Sequence, residues 1–338
     1  MSELFGAADE LRRRRLQDDM ELRRQQWEAV QQMLLVCIDP AIELKLHRNL
    51  EMLESSIAGL ARELGLLGRE REAVGVTRVD VAIITALEDE RIAVLSHLPD
   101  HRRLSRSEDN IDIYYEATLP VQHLGNGLNA YHLIVCQIPA MGRIRAAVTA
   151  SNILRRFRPR YLLVVGIAGG IADRGVAPGD LLISTQIVDY ELQKLTPDDE
   201  QMRWEVHRSD EGLCNQARHL PDSWRQAIKQ KHPTNGIPKC HFGPVASGDK
   251  VVAFETVLRR YRTHWPQLIG VEMEAAGVAT TAFTAAPPVP FFMVRGVSDL
   301  ADRAKDDRWR LYACDVAAAF TVTLLNTGPI PTGRAPGA

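Results

Sequence analysis

Acidic residues stand where three apolar runs of this chain end. Gly270–Gly277 reads "GVEMEAAG", with Glu272 and Glu274 flanking Met273 ahead of a run of small apolar residues. "IITALEDER" carries Glu88 and Glu90, and "VRGVSDLAD" carries Arg295, Ser298, Asp299 and Asp302. Carboxylates rarely enter apolar surroundings without partners, because burying an unpaired charge is costly. A carboxylate accepts two hydroxyl protons at once, and a methionine offers a soft apolar wall. Together they suit a sugar with vicinal hydroxyls. Each acid also has a structural reading. Thr85 with Glu88 three later forms a capping box, Glu90 suits a solvated helix start, and Asp299 suits the N-cap of a turn. On a helix Glu272 and Glu274 would diverge by about 200°, whereas at an extended strand end both could serve one pocket. A helix starting near Met273 splits their roles, one capping backbone donors and the other projecting with Met273.

The glycine-rich stretch "VVGIAGGIADRGVAPGD" lets a ligand approach the backbone. Its spacing is not G-x-G-x-x-G, and Gly175, Pro178 and Gly179 oppose an immediate helix, which excludes a dinucleotide site with Asp189 on the ribose. The five cysteines are scattered without a C-x-x-C pair, and the histidines show no metal-ligand spacing, so no metal or organic cofactor is expected. A net charge of −2 argues against nucleic-acid binding. No stretch has the ~18 apolar residues of a membrane span, and the N-terminus lacks a secretory apolar core. Reduced thiols fit the cytoplasm.

These residues need a scaffold to position them. From Val79 onward, short β-branched runs alternate with helical patterns. Strands are expected at 79–85, 131–137, 161–166, 180–188, 240–248 and 290–296. Helices are expected at 88–97, 143–156, 213–219, 223–231, 250–261, 273–283 and 308–325. Several strands are apolar on both faces, as in a sheet covered on both sides. The pattern predicts an α/β fold, a three-layer α/β/α sandwich around a mixed central sheet over residues 79–326, with ligands beyond the strand ends. Residues 1–75 are expected to form a helical, coiled-coil-like arm. Leu46, Leu50, Leu53, Ile57, Leu60, Leu64 and Leu67 repeat with heptad spacing, so the arm either packs on its own domain or serves as an adaptor for a protein partner. Arg12–Arg15 lie among acids and read as a solvated face. The tail at 327–338 is Pro/Gly-rich and expected to be disordered.

"ITALEDE", "MGRIRAA", "VVGIAGG", "SGDKVV", "VEMEAAG" and "VRGVSDLAD", in this order, resemble the nucleoside phosphorylase superfamily of the purine and uridine phosphorylase type. The likeness is closest to its hydrolytic branch, the methylthioadenosine/adenosylhomocysteine nucleosidases, and covers residues 79–326. The resemblance implies an N-glycosyl hydrolase acting without a cofactor. Asp299 then protonates the departing purine, and Glu90 orients the attacking water. Met273 and Glu274 hold the ribose, with Glu272 beside the sugar. Ala168, Gly169 and Gly170 form the floor, and Val252 gives backbone contacts to the base. Arg295 and Ser298 support the aspartate and the nucleophile site. The chain departs from the branch at Lys250, Val251 and Val252, where an aromatic residue often stacks on the base. The segment 190–239, with Lys194, Arg203, His207, Arg208 and Arg218, is either a surface loop or a wall for 5′-phosphates. Arg143, after Gly142, is a candidate phosphate contact at a helix start. The resemblance implies a small-molecule nucleoside or nucleotide substrate and a homo-oligomer. The alternatives are a phosphorolytic enzyme on the same fold and a nucleotide-depleting effector whose arm docks a sensor.

Overall fold

A computed structural model describes residues 79–104, 112–121, 130–191, 193–195, 200–250, 261–300 and 308–330, with helical positions 14–23, 25–26, 29–30, 46, 49, 52–53, 56 and 60. The chain divides into two compact units, Met1–Thr77 and Arg78–Ala338. In the first unit Leu46, Leu53 and Leu60 are helical and half-buried, and the other seam positions lie outside the described residues. So do Arg12 and Arg13 and residues 251–260 of the expected helix over 250–261, Val252 among them.

The second unit is built on a mixed sheet. Its strands, numbered in chain order, are β1 (Val81–Thr85), β2 (Arg102–Arg103), β3 (Tyr114–Pro120), β4 (Ala130–Gln137), β5 (Tyr161–Gly170) and β6 (Leu181–Asp189). They continue with β7 (Gln193–Leu195), β8 (Glu200–Met202), β9 (Glu205–Arg208), β10 (Cys240–Ser247), β11 (Gly270–Glu272) and β12 (Phe291–Asp299). The sheet order is β11-β10-β6-β12-β5-β1-β4-β3-β2, with β9 on β6 and β7–β8 a separate hairpin. Strand β11 also pairs antiparallel with β5, so the sheet closes on itself at one side.

Helices α1 (Glu88–Ser96), α3 (Glu211–Arg218) and α5 (Arg308–Asn326) share one hydrophobic core, and α2 (Arg143–Phe157) and α4 (Ala275–Thr284) share another. Strand side chains alternate between the two cores. Val81, Ile83, Leu163 and Val165 point to the first, and Ala82, Ile84, Leu162 and Val164 to the second. This is why the strands are apolar at every position.

The structure corrects some expected boundaries. Strand β5 runs on through Gly169 and Gly170 instead of ending at Gly166. The expected helix at 223–231 is a 3₁₀ turn, Asp222–Ala227, because Ile228 turns extended. The N–H groups of Lys229 and Gln230 are drawn onto the buried Asp315 carboxylate, at 2.5 and 2.6 Å. The expected disordered tail begins docked: Ile330 is buried, donates to Tyr131 Oη at 3.0 Å and accepts from it at 2.8 Å.

Candidate active site

Strands β1, β5 and β12 run parallel, so their C-terminal ends share one edge. Just past β1, helix α1 begins after Leu87, and Glu90 sits on its first turn. Its Oε2 accepts from the N–H groups of Ala86 at 2.6 Å and Leu87 at 2.9 Å, and its Oε1 accepts from Ile167 N–H at 2.8 Å. Glu90 therefore takes the capping work, and the expected box of Thr85 with Glu88 does not form. Glu88 faces solvent and pairs with Arg91 at 3.1 Å. Glu90 is buried rather than solvated, and burial raises its pKa against the opposing pull of Arg295 and the three N–H donors.

Glu272 ends β11, and Glu274 is the N-cap residue of α4. The Glu272 carboxylate accepts from the N–H of Glu274 at 3.1 Å and of Ala275 at 3.0 Å, so it caps the helix that follows it. Ser247 Oγ accepts the next donor, Ala276 N–H, at 2.9 Å. Among the described residues Glu274 takes one backbone donor, Gly142 N–H at 3.4 Å.

Arg295, on β12, lies beneath all three glutamates with no exposure to solvent. Its Nη1 is 3.5 Å from Glu90 Oε1, and its Nη2 is 2.5 Å from Glu272 Oε2 and 3.1 Å from Glu274 Oε2. One guanidinium faces three carboxyl groups, so charge balance favours a retained proton. Burial raises the Glu274 carboxyl to about 7, Arg295 opposes this, and Glu272 and Glu90 add to it. Gly166 on β5 makes the arrangement sterically feasible, because a Cβ there would collide with the Glu90 carboxylate and the Arg295 guanidinium.

Asp299 ends β12 opposite Gly169 of β5. Ser298 Oγ donates to Asp299 Oδ2 at 2.9 Å. These groups converge on one cavity of about 200 Å³. Its lining includes Glu90, Ala168, Gly169, Glu272, Met273, Glu274, Ser298 and Asp299, together with Leu87, Met141, Ile167 and Lys250.

Three expected site residues lie elsewhere. Arg295 is sealed below the cavity and reaches it only through the glutamates. Gly170 faces Val176 and Val297 rather than the cavity. Arg143 is not set to meet an incoming anion: its guanidinium ion-pairs with Asp189 and lies 3.2 Å from Asp249. Among the described residues, the polar segment after Tyr190 does not line the cavity either. Arg203 is exposed, Arg218 stacks on Phe242 at 4.3 Å, and His207 and Arg208 line a separate cavity near Phe291, the opposite end of β12. The side chain of Lys194 lies outside the described residues. Lys250, noted in the sequence only as a departure, borders the cavity and pairs with Glu191 at 2.7 Å. Among the described residues no group of His, Cys, Asp and Glu is arranged to hold a metal ion, and no helix is long and apolar enough to cross a membrane.

Known proteins share this framework. The 5′-methylthioadenosine/S-adenosylhomocysteine nucleosidase of Maridesulfovibrio salexigens is 28% identical over 224 residues, covering 65% of this chain and 85% of the relative. The enzyme of the same name from Haemophilus ducreyi is 27% identical over 189 residues, 55% of this chain and 77% of its own. The crystal structure of the Neisseria meningitidis nucleosidase with methylthio-immucillin-A superposes with a TM-score of 0.57 at 23% identity, covering 73% of this chain and 99% of that one. The futalosine hydrolase of Helicobacter pylori gives 0.56 at 20% identity, with 73% and 97% covered. These two structures share the fold. A family model described as the phosphorylase superfamily matches residues 80–324, and the chain belongs to that superfamily.

Proposed function

We propose that this protein is a purine nucleosidase that hydrolyses the N-glycosidic bond of an adenine nucleoside or nucleotide. The observation that carries this reading is the convergence of Glu90, Met273, Glu274 and Asp299 on one cavity. The names of the relatives support the adenosine portion of the substrate.

The chemistry follows from what each group can do. The bond between C1′ and the base nitrogen breaks through an oxocarbenium-like state, and a purine anion leaves poorly. Asp299, oriented by Ser298, gives a proton to the base, an effect typically worth ~10²–10⁴-fold for a positioned general acid. Glu274 and Met273 hold the ribose, which places a carboxylate near the developing positive charge. Glu90, its carboxylate fixed by backbone donors, presents water to C1′. Glu272 borders the sugar and keeps the start of α4 in place.

Water is favoured over phosphate as nucleophile. The cavity lining holds the carboxyl groups of Glu90, Glu272, Glu274 and Asp299, which oppose an incoming anion, and its lysine is paired with Glu191. Purified protein supplied with adenosine, methylthioadenosine, adenosylhomocysteine, AMP and ATP should release free base without added phosphate, as resolved by chromatography. Strict dependence on phosphate would establish the phosphorylase reading instead.

The protein is further proposed to work as a homo-oligomer in the cytoplasm. The exposed Met141, Ile144 and Val148 form an apolar row at the start of α2 that suits a second copy of the chain. The separate N-terminal unit supports a role in binding a protein partner. A chain starting near residue 78 that matched the full protein in oligomeric state and activity would remove that role.

A further inference from the structure

The arginine expected to receive a substrate anion is already engaged, and its position suggests a different task. Arg143 opens α2, whose first N–H groups have no partners within the helix. Two carboxylates from distant parts of the chain supply them. Gly142 N–H reaches Glu274 at 3.4 Å, and Arg143 N–H reaches Asp249 Oδ1 at 2.8 Å. The guanidinium of Arg143 continues the joint, with Nη1 on Asp189 at the end of β6 and Nε 3.2 Å from Asp249 Oδ2 beyond β10. The carbonyl of Arg143 lies flush against Gly277 of α4, where any Cβ would overlap it. Arg143 thus fixes the contact between the starts of α2 and α4, and α4 carries Glu274 at its N-cap.

We infer that Arg143 is a positioning residue that sets the place and the charge state of Glu274 through the N–H group of Gly142. The inference rests on the nucleosidase reading only in assigning Glu274 to the sugar. At 3.4 Å the bond from Gly142 is already long, so a small drift of α2 breaks it. Glu274 faces Arg295, which favours its charged form, and Glu272 and Glu90, which oppose it, so losing the Gly142 donor shifts the balance and the carboxyl keeps its proton to higher pH. Only the planar fork of arginine spans Asp189 and Asp249 together, whereas lysine carries the same charge on one point.

The test uses the full chain and does not depend on turnover. Infrared titration of the buried carboxyl, with the Glu274 band assigned by Glu274→Gln, is compared in wild type, Arg143→Gln and Arg143→Lys. The titration midpoint of Glu274 should rise in both variants. For whichever nucleoside the wild type cleaves, the acid limb of kcat/KM should move the same way, with a loss of about tenfold below neutrality. An unchanged midpoint in both variants overturns the inference. So does a rise in the glutamine variant alone, which would be an effect of charge and not of position. If Arg143→Gln does not fold, Asp249→Asn, which leaves the arginine in place but weakens its hold, should raise the midpoint, and no rise overturns the inference. If the wild type releases no base from any nucleoside, the functional reading fails while the titration still decides this one.

Discussion

The guanidinium of Arg295 meets the carboxylate of Glu90 across 205 positions of sequence, at 3.5 Å, with both side chains sealed from solvent. The same cation serves Glu272 and Glu274. Removing it leaves buried carboxyls with no counter-charge. Arg295→Met should therefore cost about 3–5 kcal/mol, the usual penalty for breaking a buried pair from one side. Urea denaturation measures it. Arg295→Lys should recover only part, since one ammonium cannot reach the three carboxyls that the two guanidinium nitrogens serve.

Glu274 gives the protein a specific dependence on pH. Its carboxyl is raised from 4.5 to about 7 in the folded state. Between these values the folded chain holds a proton that the unfolded chain has lost. This contribution to stability is complete below about 4.5 and disappears as pH rises through about 7. Denaturation series across that window should show wild type losing stability relative to Glu274→Gln as pH rises. Ribose binding by the ionised form predicts the opposite trend in activity, with kcat/KM rising through neutrality.

Ser298 tests the acid through its hydrogen bond. Ser298→Ala removes the 2.9 Å bond to Asp299 and should lower kcat by about fivefold, the equivalent of ~1 kcal/mol for one hydrogen bond. Asp299→Asn should lower it by ~10²–10⁴-fold. Steady-state base release distinguishes the two, and full activity in Asp299→Asn would remove the acid assignment.

Gly166 has no room for a side chain. A methyl group there would fall on Glu90 and Arg295 together. Gly166→Ala should destabilise the fold by about 1–3 kcal/mol, the usual range for overpacking. It should also reduce activity beyond what the lost stability explains, because Glu90 must move. Thermal melts alongside kcat/KM at a temperature where the variant is fully folded separate the two effects.

Ile144 is among the most exposed large apolar side chains described, at 74%. If α2 meets a second copy of the chain, Ile144→Asp should convert the oligomer to monomer in light scattering without loss of secondary structure. A wild type that is itself monomeric would contradict the proposed assembly.

Much of the scaffold was legible because its strands are apolar on both faces and end in acids or glycines. Residues 81–85, 161–165 and 291–294 announce a covered sheet by composition alone. Strand β3, with Glu116 and Thr118 among its apolar residues, and the three-residue β11 carry no such signal. Glu272 ends a strand and Glu274 caps the next helix, so both face one cavity, as an extended strand end allows, while only Glu272 takes the capping donors of α4. The three-carboxyl clamp on Arg295 was not legible, because its partners come from β11, the N-cap of α4 and α1, 21 to 205 positions away. Arg143 misled for the same reason. A helix start beside an arginine looks ready for an anion, and nothing local reveals that Asp189 and Asp249 arrive 46 and 106 positions later.

The closure of the sheet through β11 and β5 has a consequence for biosynthesis. Glu90 leaves the ribosome long before β11 and β12, and Arg295 is still unmade while most of the sheet is available to pair. Until the last strand emerges, Glu90 has no Arg295 beside it and the cavity lacks Ser298 and Asp299. A chain stalled before residue 291 would lack Arg295, Asp299 and the central strand that joins β6 to β5, so the cavity assembles only after the last strand is made.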